Sequence, residues 1–163
     1  MDADAQEVVI RQARAADLEA MIAITADVFG AYSIDSKIEQ MLGRGGEEDW
    51  VALKAANIRR AVELRGRSCF VAEAGGRVVG FVTTAIHGPA SRGTICDLAV
   101  AGDFQGRAVG RRLLLRALDR FRELGLKHAK IETLACNPVG QHLYPSVGFR
   151  EVERQIHYAM RLD

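Results

Sequence analysis

The sequence has little net charge, few cysteines and no long apolar run, and each absence excludes a class of protein. Among 163 residues, 22 Lys and Arg face 21 Asp and Glu, which leaves a formal net charge of +1. This balance argues against a nucleic-acid groove or a membrane-surface protein. No apolar stretch reaches the roughly 20 residues that span a bilayer. We therefore expect neither a nucleic acid nor a membrane as partner.

Cysteine is scarce as well, and Cys69, Cys96 and Cys136 have neither metal-site nor redox-motif spacing. All three lie in apolar sequence, which predicts buried free thiols in a reducing compartment rather than a disulfide framework or a nucleophile. The N-terminus, MDADAQEVVI, lacks the cationic start and apolar core of a signal peptide. We expect a cytoplasmic protein without a metal.

Only three prolines are present, and there is no repeat or Pro-rich linker, so residues 1–163 are expected to form one domain. The apolar periodicity alternates between strand and helix. The predicted elements are a strand (7–13), helices within 15–30, 33–42 and 47–64, two strands around Gly75-Gly76, a fourth strand (92–100), a helix ending at Gly125, a fifth strand (127–136), a short helix (137–149) and two closing strands or one bent hairpin (150–162).

The fourth strand, the next helix and the fifth strand form a strand-helix-strand unit, which favours parallel pairing, whereas the hairpin is antiparallel. We therefore predict a mixed α/β (α+β) fold. Its sheet would be mostly antiparallel, with six or seven strands and helices on both faces.

The stretch DFQGRAVGRRLLLRAL, residues 103–118, joins the fourth strand to a helix. Free backbone N–H groups and the positive end of the dipole at a helix start can hold a phosphate. Gly106 and Gly110 would let a phosphate approach the backbone, and Arg107 and Arg111 would add positive charge. From these residues alone, an anion site and a plain strand-helix loop are about equally supported. The spacing is neither a Walker loop nor a dinucleotide fingerprint.

Read together with NPVGQHLYPSVGF, this stretch resembles the GNAT superfamily of acyl-CoA-dependent N-acetyltransferases. The family signature Gln/Arg-x-x-Gly-x-Gly/Ala corresponds to Gln105, Ala108 and Gly110. A second block, Asn-x-x-Ala-x-x-Leu-Tyr-x-x-x-Gly-Phe, keeps every spacing, with these members: Asn137, Gly140, Leu143, Tyr144, Gly148 and Phe149. The resemblance covers residues 68–162 well and the N-terminal third only in its element order.

The resemblance implies that acetyl-CoA, the acyl donor, lies in a cleft where the fourth and fifth strands splay apart. Pantetheine would pair like an extra strand with the backbone of Leu98, Ala99 and Val100. A strand bulge there would help a backbone N–H polarise the thioester carbonyl. The pyrophosphate would lie on the backbone amides of Gln105, Gly106, Arg107, Ala108, Val109, Gly110 and Arg111.

Two residues of the second block receive roles from the same resemblance. Tyr144 would be the general acid for the coenzyme A sulfur, although it could instead simply pack beside Phe149. Asn137 would contact pantetheine, and with Pro138 behind it we also expect it to cap the short helix. Pro145 should kink that helix or end it early. Ala108, where glycine is usual, should fit if its dihedral angles are helical.

The general base stays open. Strict alternation would place Thr94, Cys96 and Leu98 on one face of the fourth strand and Ile95, Asp97 and Ala99 on the other. Asp97 could hold or deprotonate a substrate ammonium, or could be paired structurally. Glu132 on the fifth strand carries the same two interpretations. The weaker candidates are His87, His142 and His157.

For the acceptor, Phe29, Tyr32 and Asp97 are candidate contacts, with Trp50 beside them, although aromatic residues more often fill a core. We expect an N-acetyltransferase that transfers an acetyl group directly to a small-molecule or peptide amine. A non-catalytic acyl-CoA sensor, another acyl group or a hydroxyl acceptor are the alternatives. A homodimer is a further expectation from the resemblance.

Overall fold

A computed structural model of the chain describes residues 7–162, and a five-stranded sheet runs through it. The strands are β1 (Val8–Gln12), β2 (Phe70–Ala74), β3 (Arg77–His87), β4 (Arg92–Val100) and β5 (His128–Ile131). They lie in the order β1-β2-β3-β4-β5, antiparallel throughout except for the parallel pair of β4 and β5. The hairpin around Gly75-Gly76 and the mixed, mostly antiparallel sheet are confirmed.

The helices are α1 (Leu18–Val28), α2 (Ile34–Leu42), α3 (Trp50–Arg65), α4 (Val109–Glu123) and α5 (Pro138–Ser146). The third helix begins at Trp50 rather than at 47, because the Asp49 side chain accepts a hydrogen bond from the Ala52 N–H at 2.8 Å and caps it there. No helix among the described residues is both long and apolar enough to cross a bilayer.

Helices cover both faces of the sheet, as predicted, and enclose two cores. On one face α4 covers the α4-side core, which includes Phe70, Val82, Ile95, Leu113, Leu114 and Phe121. On the other face α1 and α3 cover the α3-side core, which includes Met21, Ile24, Ile58, Val62, Val71, Phe81 and Ala99. Neighbouring strand residues such as Phe70 and Val71 enter opposite cores, as strand alternation requires.

The ladder between β4 and β5 is short. Arg92 to Ile95 pair with His128 to Ile131, and β4 then continues to Val100 with no strand partner on that side among residues 7–162. The sheet is therefore open beside the second half of β4. This is the splayed edge that the resemblance implies.

A β-bulge interrupts β4 opposite β3. Thr83 faces Asp97 and Thr84 faces Ile95, so Cys96 is the additional residue. The extra residue reverses the alternation: Ile95 belongs to the α4-side core, whereas Asp97 lies against α3. The predicted shared face of Ile95 and Asp97 is therefore wrong.

The predicted number of strands is also wrong. The sheet has five strands rather than six or seven, because residues 150–162 form neither closing strands nor a hairpin. Apolar residues alternate along this segment, but a strand also needs a hydrogen-bonded neighbour, and Val152 and Tyr158 are 94% and 90% exposed.

The thiols also differ from expectation, since Cys69 is buried but Cys96 and Cys136 are exposed. The bulge turns Cys96 outwards, and Cys136 lies in the loop before α5. Single-domain organisation and a cytoplasmic location stay predictions. Residues 1–6, on which part of the N-terminal interpretation rests, lie outside the described residues.

Candidate active site

The open edge of β4 forms one wall of the candidate donor cleft. Ala99 is buried in the α3-side core, while Leu98 and Val100 pack against the α4-side core. The backbone between them has hydrogen-bonding groups that no β5 residue takes up. The Gln105 side chain donates to the Val100 carbonyl at 3.0 Å and closes the end of this edge. An extended ligand with amide groups can pair along it.

The turn before α4 forms the end of the cleft. Gly106 has a φ of +74°, and Ala108, the residue before the helix, has φ 59° and ψ 11°. Ala108 is thus left-handed, so the condition under which alanine was expected to fit, helical dihedral angles, is not met. The helical ladder starts with the Arg112 N–H donating to the Ala108 carbonyl at 3.0 Å, so the N–H groups of residues 106–111 have no partner among the described residues and are left for an anion. The Gln105 N–H, predicted to join them, instead donates to the Gly102 carbonyl at 3.3 Å.

Arginine side chains give this turn a positive potential. Arg107 lies over the Phe104 ring, 5.0 Å from its centroid. Arg111 donates to the Ser146 hydroxyl at 2.8 Å and thereby links the first turn of α4 to the end of α5. The nearby Asp103 carboxylate already pairs with Arg77. The buried Val109 side chain fixes the turn on the α4-side core.

Helix α5 carries the second sequence block. The Asn137 side chain accepts from the Gly140 N–H at 3.3 Å, so the predicted cap is confirmed, and it also donates to Thr133 Oγ1 at 3.0 Å. The helix ends at Ser146, one residue after Pro145, as predicted. A Cβ on Gly140 would lie 2.7 Å from Thr133 Oγ1 and 3.0 Å from Tyr144 Cε2. Only glycine at position 140 leaves room for the Tyr144 ring in its observed position.

Tyr144 is half-buried against the α4-side core and packs edge-on to Phe149, with 6.3 Å between ring centroids. Burial raises the pKa of its phenol above the ordinary value, and no protein group hydrogen-bonds the hydroxyl among the described residues. The phenol therefore keeps its proton at neutral pH and has no protein acceptor to hold it. The hydroxyl can therefore donate a hydrogen bond to a ligand atom beside it.

Asp97 is buried and doubly paired. Lys54 Nζ lies 2.7 Å from one carboxylate oxygen, and the Thr83 hydroxyl donates to the other at 2.5 Å. Its charge is thus neutralised within the protein, which fits the structural alternative better than a free base. Lys54 also lies 5.0 Å from the centroid of the Phe29 ring.

The remaining predicted residues are dispersed. Glu132 lies beyond the end of β5, so its predicted placement on the fifth strand is wrong. Its side chain is 72% exposed and pairs with Lys130. Tyr32 is in the turn after α1, 37% exposed, and Phe29 packs on the α3-side core. The Trp50 N–H donates to Glu39 at 2.8 Å at the start of α3.

Sequence reasoning missed a hollow of about 310 Å³ between α3 and the bulge of β4, named here the α3 hollow. Its lining includes Lys54, Asn57, Arg60, Arg65, Cys96 and Asp97. The α3 members follow a three-to-five-residue spacing on one helix face, which is a signal visible in the sequence. Its significance depends on the bulge, which the residue pattern of β4 does not reveal, although the family resemblance implied a bulge near Leu98 and the structure has one at Cys96.

Comparison with known proteins agrees with this geometry. The model of the Acetyltransferase (GNAT) family matches residues 30–149, which include both sequence blocks. A mycothiol acetyltransferase of Saccharomonospora viridis is 29% identical over 152 residues, which are 88% of this chain and 45% of that protein. One from Tsukamurella paurometabola is 35% identical over 88 residues, 53% of this chain and 30% of that protein. The chain thus spans less than half the length of these curated relatives.

Solved structures share the fold. An N-acetyltransferase (PaiA) from Thermoplasma acidophilum, in complex with coenzyme A, superposes with a TM-score of 0.73 at 20% identity, over 91% of this chain and 93% of that one. The ribosomal-protein-alanine N-acetyltransferase from Brucella melitensis gives 0.65 at 26% identity, over 89% and 86%. An aminoglycoside acetyltransferase, AAC(6')-Iy, with a bisubstrate analogue gives 0.63 at 20%, over 95% and 99%.

Proposed function

The chain belongs to the GNAT family of acetyltransferases, and we propose that residues 1–163 act as one domain that moves an acetyl group from acetyl-CoA to a primary amine. The observation that carries the proposal is a continuous track: free N–H groups before α4, then the open edge of β4, then the bulge at Cys96. The pyrophosphate, the pantetheine arm with its amides and the thioester of acetyl-CoA follow one another in the same order.

The donor would be held in two ways. Its pyrophosphate would accept hydrogen bonds from the N–H groups at the start of α4, with Arg107 and Arg111 beside it. Its pantetheine amides would pair with Leu98 to Val100 along β4. The thioester would then reach the bulge, where backbone N–H groups no longer follow the ladder of β3 and can polarise a carbonyl.

The transfer would be direct. The amine nitrogen forms a bond to the acetyl carbon while the carbon–sulfur bond breaks, and the departing thiolate takes its proton from Tyr144. The attacking nitrogen loses its proton to water, and the phenolate of Tyr144 takes a proton back from water, so that the amide product is neutral and the enzyme returns to its starting state. No cysteine intermediate is needed. Although Cys96 is exposed, the wall of the α3 hollow partly desolvates its sulfur, and this effect, helped by the adjacent Asp97 charge, raises the pKa of the thiol to about 11, so that it is a poor nucleophile at neutral pH.

Calorimetric titration tests the donor site. Acetyl-CoA and coenzyme A should bind, and a nucleotide without pantetheine should bind more weakly, because it lacks the contacts along β4. If folded protein binds neither coenzyme A species, the donor assignment is wrong.

Replacing Tyr144 by Phe tests the acid and separates an enzyme from an acyl-CoA sensor. We expect kcat with an amine acceptor to fall by roughly 10²-fold, the lower end of the range for general acids, with donor affinity unchanged. Tyr158→Phe, at a 90% exposed tyrosine of the C-terminal segment, is the matched control. Unchanged turnover in Tyr144→Phe would remove the acid role, and no turnover with any amine in the unaltered protein would favour the sensor.

A further inference from the structure

The α3 hollow opens at the bulge, at the reactive end of the proposed donor track. Cys96 lines the hollow and is also the first β4 residue beyond the β5 ladder. Asp97, the next residue, forms part of the same wall. An acceptor that approaches the thioester from the α3 side therefore passes through this hollow.

The charges that line the hollow are mostly positive. Lys54 and Asp97 neutralise each other at 2.7 Å. Arg60 and Arg65 line the hollow without a salt bridge or side-chain hydrogen bond in the described part of the chain. Arg65 lines the same hollow as Cys96 of the bulge, and its positive charge lowers the pKa of the Cys96 thiol against the larger, raising effect of partial desolvation.

We infer that the acceptor is an amine that also carries an anionic group, a carboxylate or a phosphate, and that Arg60 and Arg65 bind this group. The inference rests on the proposed function, because it places the acceptor beside the donor thioester. A guanidinium group offers paired N–H donors that match either anion. Acceptors with several ammonium groups would instead meet two uncompensated positive charges.

The same charges bear on how the amine becomes reactive. The carboxylate of Asp97 is already paired, so no free anion in the hollow stabilises an ammonium. Once the anionic group of the acceptor is bound, it offsets the charge of Arg60 and Arg65, so these side chains position the acceptor and do not activate its amine. The acceptor would therefore be oriented by its anionic end, while its amine loses a proton to water without a dedicated base.

The experiment compares acceptors that share an amine and differ in the anion. With saturating acetyl-CoA, initial rates are measured for alanine against alaninamide and for glucosamine 6-phosphate against glucosamine, with spermidine as a polycation. We expect kcat/KM at least tenfold higher for the anionic member of one pair or both, and little activity with spermidine.

Three variants of α3 locate the effect. Arg65→Gln and Arg60→Gln should each lower kcat/KM for the anionic acceptor about tenfold, mainly through KM, and leave kcat/KM for its partner without the anion unaffected. Arg65→Lys, which keeps the charge, should restore most of the loss. Arg59→Gln is the matched control, since Arg59 is exposed on the same helix but does not line the hollow.

The outcomes separate the two proposals. Absence of acetyl-CoA binding would overturn the proposed function and this inference with it. If acetyl-CoA binds and the members without an anion react as fast as the anionic members, or react while no anionic member does, the inference alone is wrong. An equal loss in Arg59→Gln would also overturn it, because the effect would then be general to the charge of the helix.

Discussion

Ala108 lies at the turn that presents the start of α4 to the proposed donor, and its backbone is left-handed at φ 59° and ψ 11°. For a residue with a Cβ this conformation costs roughly 1–2 kcal/mol. The backbone geometry of the turn, and not the side chain of residue 108, directs the free N–H groups out of the helix. The turn therefore keeps this conformation despite its cost in free energy. The strain is local, so it can be relieved by a single substitution.

Ala108→Gly should raise the free energy of unfolding by about 0.5–1 kcal/mol, because relief of strain exceeds the roughly 0.5–1 kcal/mol that glycine's added backbone freedom costs. Urea denaturation measures it. Ala101→Gly is the control: Ala101 has φ −54° and ψ 142°, so glycine there should only destabilise. A loss of stability in Ala108→Gly would show that the turn is not strained.

Gly140→Ala should lower kcat several-fold even though alanine favours a helix by about 1 kcal/mol. The added Cβ would lie 3.0 Å from the Tyr144 ring and 2.7 Å from Thr133 Oγ1, so the ring must move. Turnover and thermal unfolding are measured together. Gly45→Ala, where a Cβ meets nothing within 4 Å, should leave both unchanged. Undiminished kcat in Gly140→Ala would mean that the position of Tyr144 is not critical.

At the scale of elements, the sequence predicts what is local and misses what depends on neighbours. The hairpin follows from Gly75-Gly76, and α5 from its Asn137 cap, since both signals lie within a few residues. The apolar pattern of β4 does not show the bulge at Cys96, because the residues around it alternate as they would in a strand without a bulge. Whether residues 150–162 form strands depends on whether they find a sheet edge elsewhere in the fold to pair with, and their own sequence does not show this.

The contact of α4 with β4 is an element-scale feature that one residue tests. A Cβ on Gly93 would lie 2.5 Å from the Phe121 ring, within the α4-side core. Gly93→Ala should therefore destabilise the protein by about 1–3 kcal/mol through overpacking. Guanidinium unfolding measures it, with Gly88→Ala as control, because nothing lies within 4 Å of a Cβ there. Equal stability of the two variants would contradict this packing.

At the scale of the whole molecule, one ion-pair network holds the N-terminal part of the fold together. Arg11 of β1 pairs with Asp17, just before α1, at 2.8 Å and with Glu73 of β2 at 2.7 Å. Asp17 is buried and also accepts from the Arg14 N–H at 2.8 Å. The hydrogen bonds from Arg11, more than any other contact, lower the pKa of Asp17 below its ordinary 3.8.

This network gives a pH dependence with a defined sign. Because the folded-state pKa of Asp17 is depressed, its contribution is complete well above pH 3.8 and is lost as the pH falls below that value towards the folded-state pKa. Asp17→Asn should cost about 1–3 kcal/mol at pH 7 and flatten the acid limb of stability. Asp119→Asn, which breaks an exposed pair with Arg122, should cost under about 0.5 kcal/mol. An unchanged acid limb in Asp17→Asn would assign the dependence elsewhere.

Four residues attach β5 to the sheet, and three of them, His128 to Lys130, are exposed. Amide hydrogens in β5 should therefore exchange with solvent water faster than those of β2 and β3, which lie between two neighbouring strands. Local opening of β5 widens the gap beside β4 and takes from the α4-side core the half-buried side chain of Ile131, at the end of the strand. A long, flexible ligand can then enter the sheet from the side, instead of threading into it from one end.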